Sequence, residues 1–219
     1  MISSATLYRA SGLALLLGAL LSVIVDILED LLFSSENLQQ RLSLSWLIVM
    51  LLSVLSSLLI IGGLPGICAR QCAQAGKLGL VGFVLTLVSG ILLTGLTITR
   101  LLIEPYLAAK APQLLVGTPP ASLTTYSLVA ALLIAVGAML LGVATMRARV
   151  FPRWVGLLLI VSVVLNLALF VPLPGLIGSI FDKIADVLFA LGLAWMGSTL
   201  LTARATKQVL PLTAQPFSG

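Results

Sequence analysis

The chain contains no histidine, and that one absence removes several classes of chemistry. Histidine-ligated haem, the usual zinc and copper sites, Ser-His-Asp triads and Cys-His dyads all need an imidazole. Cysteine is almost as scarce. Cys68 and Cys72 are the only two, too few for a metal cage and not spaced as a CxxC pair. Charge is thin as well, with 9% of the 219 residues Asp, Glu, Lys or Arg. A water-soluble domain carries about 25%, so this composition cannot clothe a surface facing water. No basic run with interleaved aromatics accompanies the net charge of +5, which excludes a nucleic-acid partner as the natural reading.

What fills the chain instead is apolar side chains, 60% of the total. They fall into six runs, each near the ~20 residues that ~30 Å of hydrocarbon requires. The expected fold is an all-α, polytopic bundle of six transmembrane helices at about 7–32, 44–61, 78–100, 123–146, 154–171 and 182–201. Residues 1–204 form one transmembrane domain and 205–219 a polar tail. Arg9 and the run from Leu13 to Val25 have the layout of a signal peptide. A small-x-small cleavage site is missing, however, and Asp26 to Phe33 continues in helix-favouring residues, so this reads as a retained helix.

Glycine and proline punctuate the spans. Gly62-Gly63 and Pro65-Gly66 are expected to end the second helix, and Glu104-Pro105 the third. Residues 105–122, with Pro105, Pro112, Pro119 and Pro120, read as the longest loop. Trp46 stands where an interfacial aromatic anchor belongs. Ser53, Ser56 and Ser57 are expected to bond to the preceding turn or to a neighbouring helix. Gly82, Gly90 and Gly95, and the stripe Ala131, Ala135, Ala138 and Gly142, suit close helix contact.

Orientation follows from counting bases. With six helices, one side holds Arg9, Arg70, Lys77, Arg147, Arg149, Arg153, Arg204 and Lys207. The other holds Arg41, Arg100, Lys110 and Lys183, with all seven acids. Basic loops stay inside, so both termini are expected in the cytoplasm. On that reducing side Cys68 and Cys72 are expected as free thiols.

The acids supply the candidate site. Asp26, Glu29 and Asp30 share one face near the end of the first helix, and Asp182 and Asp186 pair at i, i+4 near the start of the sixth. Carboxylates within a span are costly and are functional candidates for binding a cation, such as calcium, or passing protons. The plainer reading is a solvated outer rim, with Asp182 and Asp186 favoured by the dipole of a helix start. Depth separates the two. Arg9 to Asp26 is about 25 Å at a rise of 1.5 Å per residue, which leaves Asp26, and similarly Asp186, just short of the outer edge. Arg100 and Glu104 form an i, i+4 pair, with the acids of helices one and six as alternative partners for Arg100. Asn166 is read as the only amide well inside a helix and as a candidate intramembrane polar contact.

No nucleophile has a base at catalytic spacing, so neither enzymatic activity nor a cofactor is expected. From Tyr8-Arg-Ala-Ser-Gly-Leu-Ala-Leu, through Pro65-Gly66 and Lys77-Leu-Gly-Leu-Val-Gly-Phe, to Pro152-Arg-Trp-Val-Gly, the chain resembles the small six-helix bacterial membrane proteins grouped as domains of unknown function. The resemblance implies a bacterial plasma-membrane location. Two functions fit this sequence. One is a non-enzymatic structural or accessory subunit, whose partners are the bilayer and either itself or other membrane subunits through the small-residue faces. The other is a small transporter or cation- or proton-binding protein that uses the acids of helices one and six.

Overall fold

A computed structural model describes residues 4–33, 37–116, 120–168 and 175–202, and among them no strand occurs. Six helices and one 3-10 turn follow in order: α1 (Ser4–Leu32), the turn Leu38–Leu42, α2 (Leu44–Lys110), α3 (Gln113–Val116), α4 (Ala121–Ala148), α5 (Arg153–Ala168) and α6 (Gly175–Thr202). Side chains set the starts at one end of the bundle. Asn37 accepts from the Gln39 N–H to open the turn, and the Ser43 hydroxyl accepts from the Trp46 N–H to cap α2. Five stretches are long and apolar enough to cross a membrane: Thr6–Leu32, Leu44–Gln71, Gln74–Lys110, Ala121–Ala148 and Ile180–Thr202. They mark the chain as a membrane protein. The remaining apolar helix, α5, has 16 residues, about 24 Å at the helical rise.

The second and third helices differ most from expectation. Pro65, Gly62, Gly63 and Gly66 do not end a helix, and Pro105 does not either; both prolines lie inside α2. The helix breaks once, at Gly76, whose φ of 61° and ψ of −148° belong to a region open essentially to glycine alone. Ile61 of the first limb touches the position of Gly90 on the second, so the limbs fold back as a hairpin. Without water to satisfy freed backbone groups, a continuous helix is the better solution inside an apolar span. The glycines serve packing instead. A Cβ on Gly63 would stand 2.4 Å from Leu15 Cγ, and one on Gly66 would stand 2.3 Å from Ser11 Cβ.

Helix contacts run in a closed circuit, from α1 to the first limb of α2, the second limb, α4, α5, α6 and back to α1. Small residues meet across it. Gly12 faces Gly197, Gly82 faces Leu141, Gly137 faces Thr86, and Gly142 faces Gly156. Hydroxyls add interhelical bonds: Ser56 Oγ donates to Gly18 O at 2.9 Å and Ser89 Oγ to Ala130 O at 2.8 Å. Ser57 bonds back to Ser53 O instead. One core, around Leu15, Leu64, Leu159, Leu193 and Met196, fills the end that holds the chain's start; a smaller one, around Val25, Val49 and Met50, lies toward the other end. Leucine, isoleucine and valine dominate the exposed large side chains.

Three further expectations are corrected. α6 begins at Gly175, so Asp182 lies about two turns inside it, beyond the reach of the helix-start dipole. Residues 105–110 are helical and 113–116 form α3, which shortens the long loop. Cys68 is disulfide-bonded rather than free. It lies one helical turn from the chain's only other cysteine, Cys72, whose side chain is outside the described residues. The expected end of the fifth helix near 171 and the tail 205–219 also lie outside them.

Candidate functional site

Four ion pairs among the described residues gather at the end opposite the chain's start. Arg100 is their centre. It pairs with Glu104 one turn away, at 3.1 Å, and also reaches across to Glu29 on α1. Both readings of Arg100 therefore hold at once. Glu104 in turn accepts from Arg41, at 2.5 Å. The guanidinium groups of Arg41 and Arg100 lie 5.5 and 5.6 Å from the centre of the Trp46 ring, and Phe33 meets that ring edge-on. Trp46 is consequently 2% exposed. It is the anchor of a charge clamp joining α1, the 3-10 turn and α2, not a lipid-facing aromatic, because two cations and a ring cover it.

The other acids divide into satisfied and unsatisfied groups. Glu29 is held by Arg100, and Asp30 by Lys183 of α6 at 2.9 Å. Asp182 accepts from Asn166 Nδ2 at 3.4 Å, which places Asn166 at the contact between α5 and α6. Asp26 and Asp186 make no hydrogen bond or ion pair among the described residues. They lie within electrostatic range of each other, of Asp182 and of Lys183. Lys183 makes its ion pair with Asp30, so Asp26 and Asp186 feel its charge without contacting it.

Asp186 opens into a cavity of about 300 Å³ between the second limb of α2, α4, α5 and α6. Asn166 and Ser162 are its other polar lining groups, while Leu93, Ile134, Val163 and Phe189 supply apolar walls. The small-residue stripe of α4 explains why there is room. Ala138 and Gly142 are buried in contacts, whereas Ala131 and Ala135, two turns away, line the cavity. Asp26 does not line it. Its nearest role is to add negative potential from α1.

Sequence reasoning missed a second polar contact. Because α2 continues past Pro65, Gln71 is a helix residue, so Asn166 is not the only amide there. Gln71 is 1% exposed: its Nε2 donates to Leu141 O at 3.4 Å, and the single proton of the Thr145 hydroxyl faces both Leu141 O at 2.8 Å and Gln71 Oε1 at 3.0 Å. The signal was only visible with the helix extended. Thr145→Val is expected to lower stability in detergent by about 1 kcal/mol, read as a thermal-unfolding shift. An unchanged transition would show that Gln71 gains nothing from the hydroxyl. Nearby, Arg70 donates to Thr199 O at 2.7 Å, near the end of α6, and lies 5.1 Å from the Phe151 ring.

Among the described residues no three His, Cys, Asp or Glu side chains are arranged to hold a metal ion. The acids therefore do not form a calcium cage, which needs six or more oxygens around one point. No protein-family model, curated protein or solved structure matches this chain.

Proposed function

We propose that this is a six-span protein of the bacterial plasma membrane, with both termini cytoplasmic, that binds a monovalent cation or a proton at the carboxylates of α1 and α6. The resemblance to small six-helix bacterial membrane proteins and the segregation of bases support the location and orientation, while the disulfide at Cys68 argues for the opposite orientation of that side. One observation carries the function: Asp186 opens into a four-helix cavity without a hydrogen-bond or ion-pair partner among the described residues. A carboxylate in a membrane span with no ion-pair or hydrogen-bond contact is costly, and such cost marks ion and proton sites. Asp26 strengthens the field from the facing helix, and Asn166 adds a neutral polar ligand.

The accessory-subunit reading rests on abundant small-residue packing faces beside few polar groups within the spans. Those faces are largely occupied inside the chain, with Gly82 against Leu141, Gly90 against Ile61 and Gly142 against Gly156, while Ala131 and Ala135 line the cavity. It is the weaker of the two for that reason.

The test is thermal unfolding of the detergent-solubilised chain across sodium, potassium and organic ammonium salts. Wild type is expected to gain stability with one of them, by about 2.7 kcal/mol at a hundred times its dissociation constant. Asp186→Asn is expected to abolish that gain, and to be more stable than wild type in its absence because mutual repulsion among three carboxylates is relieved. Asp26→Asn should weaken the response without removing it. The same comparison is repeated across pH at fixed salt, and a response identical in wild type and Asp186→Asn to the salts and to pH alike would sink the reading.

A further inference from the structure

At the opposite end, the turn between α4 and α5 carries a different unsatisfied group. Arg147, Arg149 and Arg153 line one open cavity of about 510 Å³, with Val143 and Met146 as its apolar lining. The backbone arranges this. Arg147 is in the last turn of α4, Arg149 ends that helix with φ 53° and ψ 23°, and Arg153 begins α5 just after Pro152. A left-handed conformation is uncommon for a residue other than glycine. None of the three is in an ion pair among the described residues, and all are exposed. Arg41, Arg70 and Arg100, by contrast, are each engaged by a carboxylate or a carbonyl.

We propose that these three arginines bind the phosphate of an anionic phospholipid headgroup. Fixing topology needs only positive charge in the loop, which scattered lysines would provide equally. It does not need three guanidinium forks around one cavity, and that fork matches phosphate oxygens two at a time. The lipid, rather than a free phosphate, is indicated by what lines the cavity and by its depth. Val143 and Met146 offer an apolar wall for an acyl chain. Trp154 follows Arg153 in the chain and is 66% exposed in a separate groove with Leu157 and Trp195; a ring of this kind settles at headgroup level and places this end of α5 there. Basic pockets between helices hold anionic headgroups by this combination.

The experiment offers purified wild-type chain phosphatidylglycerol or phosphatidylcholine of equal acyl length, and counts retained lipid by native mass spectrometry. Phosphatidylglycerol is expected to be preferred. Arg147→Gln, Arg149→Gln and Arg153→Gln should each reduce the preference roughly fivefold. Lys110→Gln, at the other end of the bundle, should leave it unchanged. Equal retention of the two lipids by wild type, which requires no variant to fold, overturns the proposal. An undiminished preference in all three glutamine variants does so too. Displacement of the lipid by inorganic phosphate would also overturn it, by making the ligand a soluble one.

Discussion

A Gly66→Leu chain is expected to lose at least about 3 kcal/mol of stability, or to fail to fold, because its side chain has nowhere to go. Even the first carbon would stand 2.3 Å from Ser11 Cβ and 2.8 Å from Ser11 Oγ. Gly63 is as tight, with Leu15 N and Ser11 O both at 2.9 Å from a built Cβ. These are atoms fixed to the backbone of α1, so relief requires the two helices to separate. Separation would strip contacts from Leu15 and Leu64, which anchor the larger core. Gly62 provides the control. Nothing lies within 4 Å of its Cβ position, and Gly62→Ala should be neutral or stabilising by up to about 1 kcal/mol through helix propensity. Thermal unfolding of the three purified proteins decides this. Equal stability of the Gly66→Leu and Gly62→Ala chains would show that α1 and α2 are not in close contact.

The second large effect is expected at Glu104. Its carboxylate, 16% exposed, accepts from both Arg41 and Arg100. Glu104→Ala leaves two guanidinium groups stacked against Trp46 with one carboxylate, Glu29, between them. A loss of about 2 kcal/mol is expected. That is below the 3–5 of a fully buried pair, because the Arg100 side chain is 42% exposed and solvent screens it. A double-mutant cycle pairing Arg41→Ala with Glu104→Ala should return a coupling of about 1 kcal/mol or more. Asp30→Ala is the contrast. The Lys183–Asp30 pair is 43% and 55% exposed on its two sides, and its loss should fall below ~1 kcal/mol. If Asp30→Ala cost as much as Glu104→Ala, the clamp around Trp46 would have no special standing.

These two effects also show where reading along the chain stopped short. Gly63, Pro65 and Gly66 look like a helix stop because glycine and proline are poor helix formers in water. In an apolar span the alternative to a helix is an unsatisfied backbone, so propensity loses to hydrogen bonding. The true break is one residue, Gly76, within the expected connector but indistinguishable by composition from Gly79 or Gly82. The misplaced stop then hid Gln71, which looked like a loop amide and is a buried helix one. Asn166 is legible because it interrupts an apolar run, and Asp182 as a charge near a helix start. Their pairing is not, because it depends on α6 beginning about two turns before Asp182 and lying beside α5.

By itself the sequence determined the all-helical, membrane-suited character of the chain. Apolar runs of that length leave no other way to satisfy the backbone in lipid. It also placed acids and most bases at opposite ends of the bundle, as the described residues have them: the acids lie with Arg41, Arg100 and Lys183, away from Arg70, Arg147, Arg149 and Arg153. Tertiary structure decided everything that depends on which helix lies beside which. It made Gly63 and Gly66 contact points with α1, and gave Arg100 two carboxylates from different helices. It also left Ala131 and Ala135 facing empty space while Ala138 and Gly142 were filled. Small residues are permissive: their sequence allows either a close contact or a cavity, and only the neighbouring helix settles which. Asp186 opens into such a cavity because four helices, far apart in the chain, stop short of meeting there.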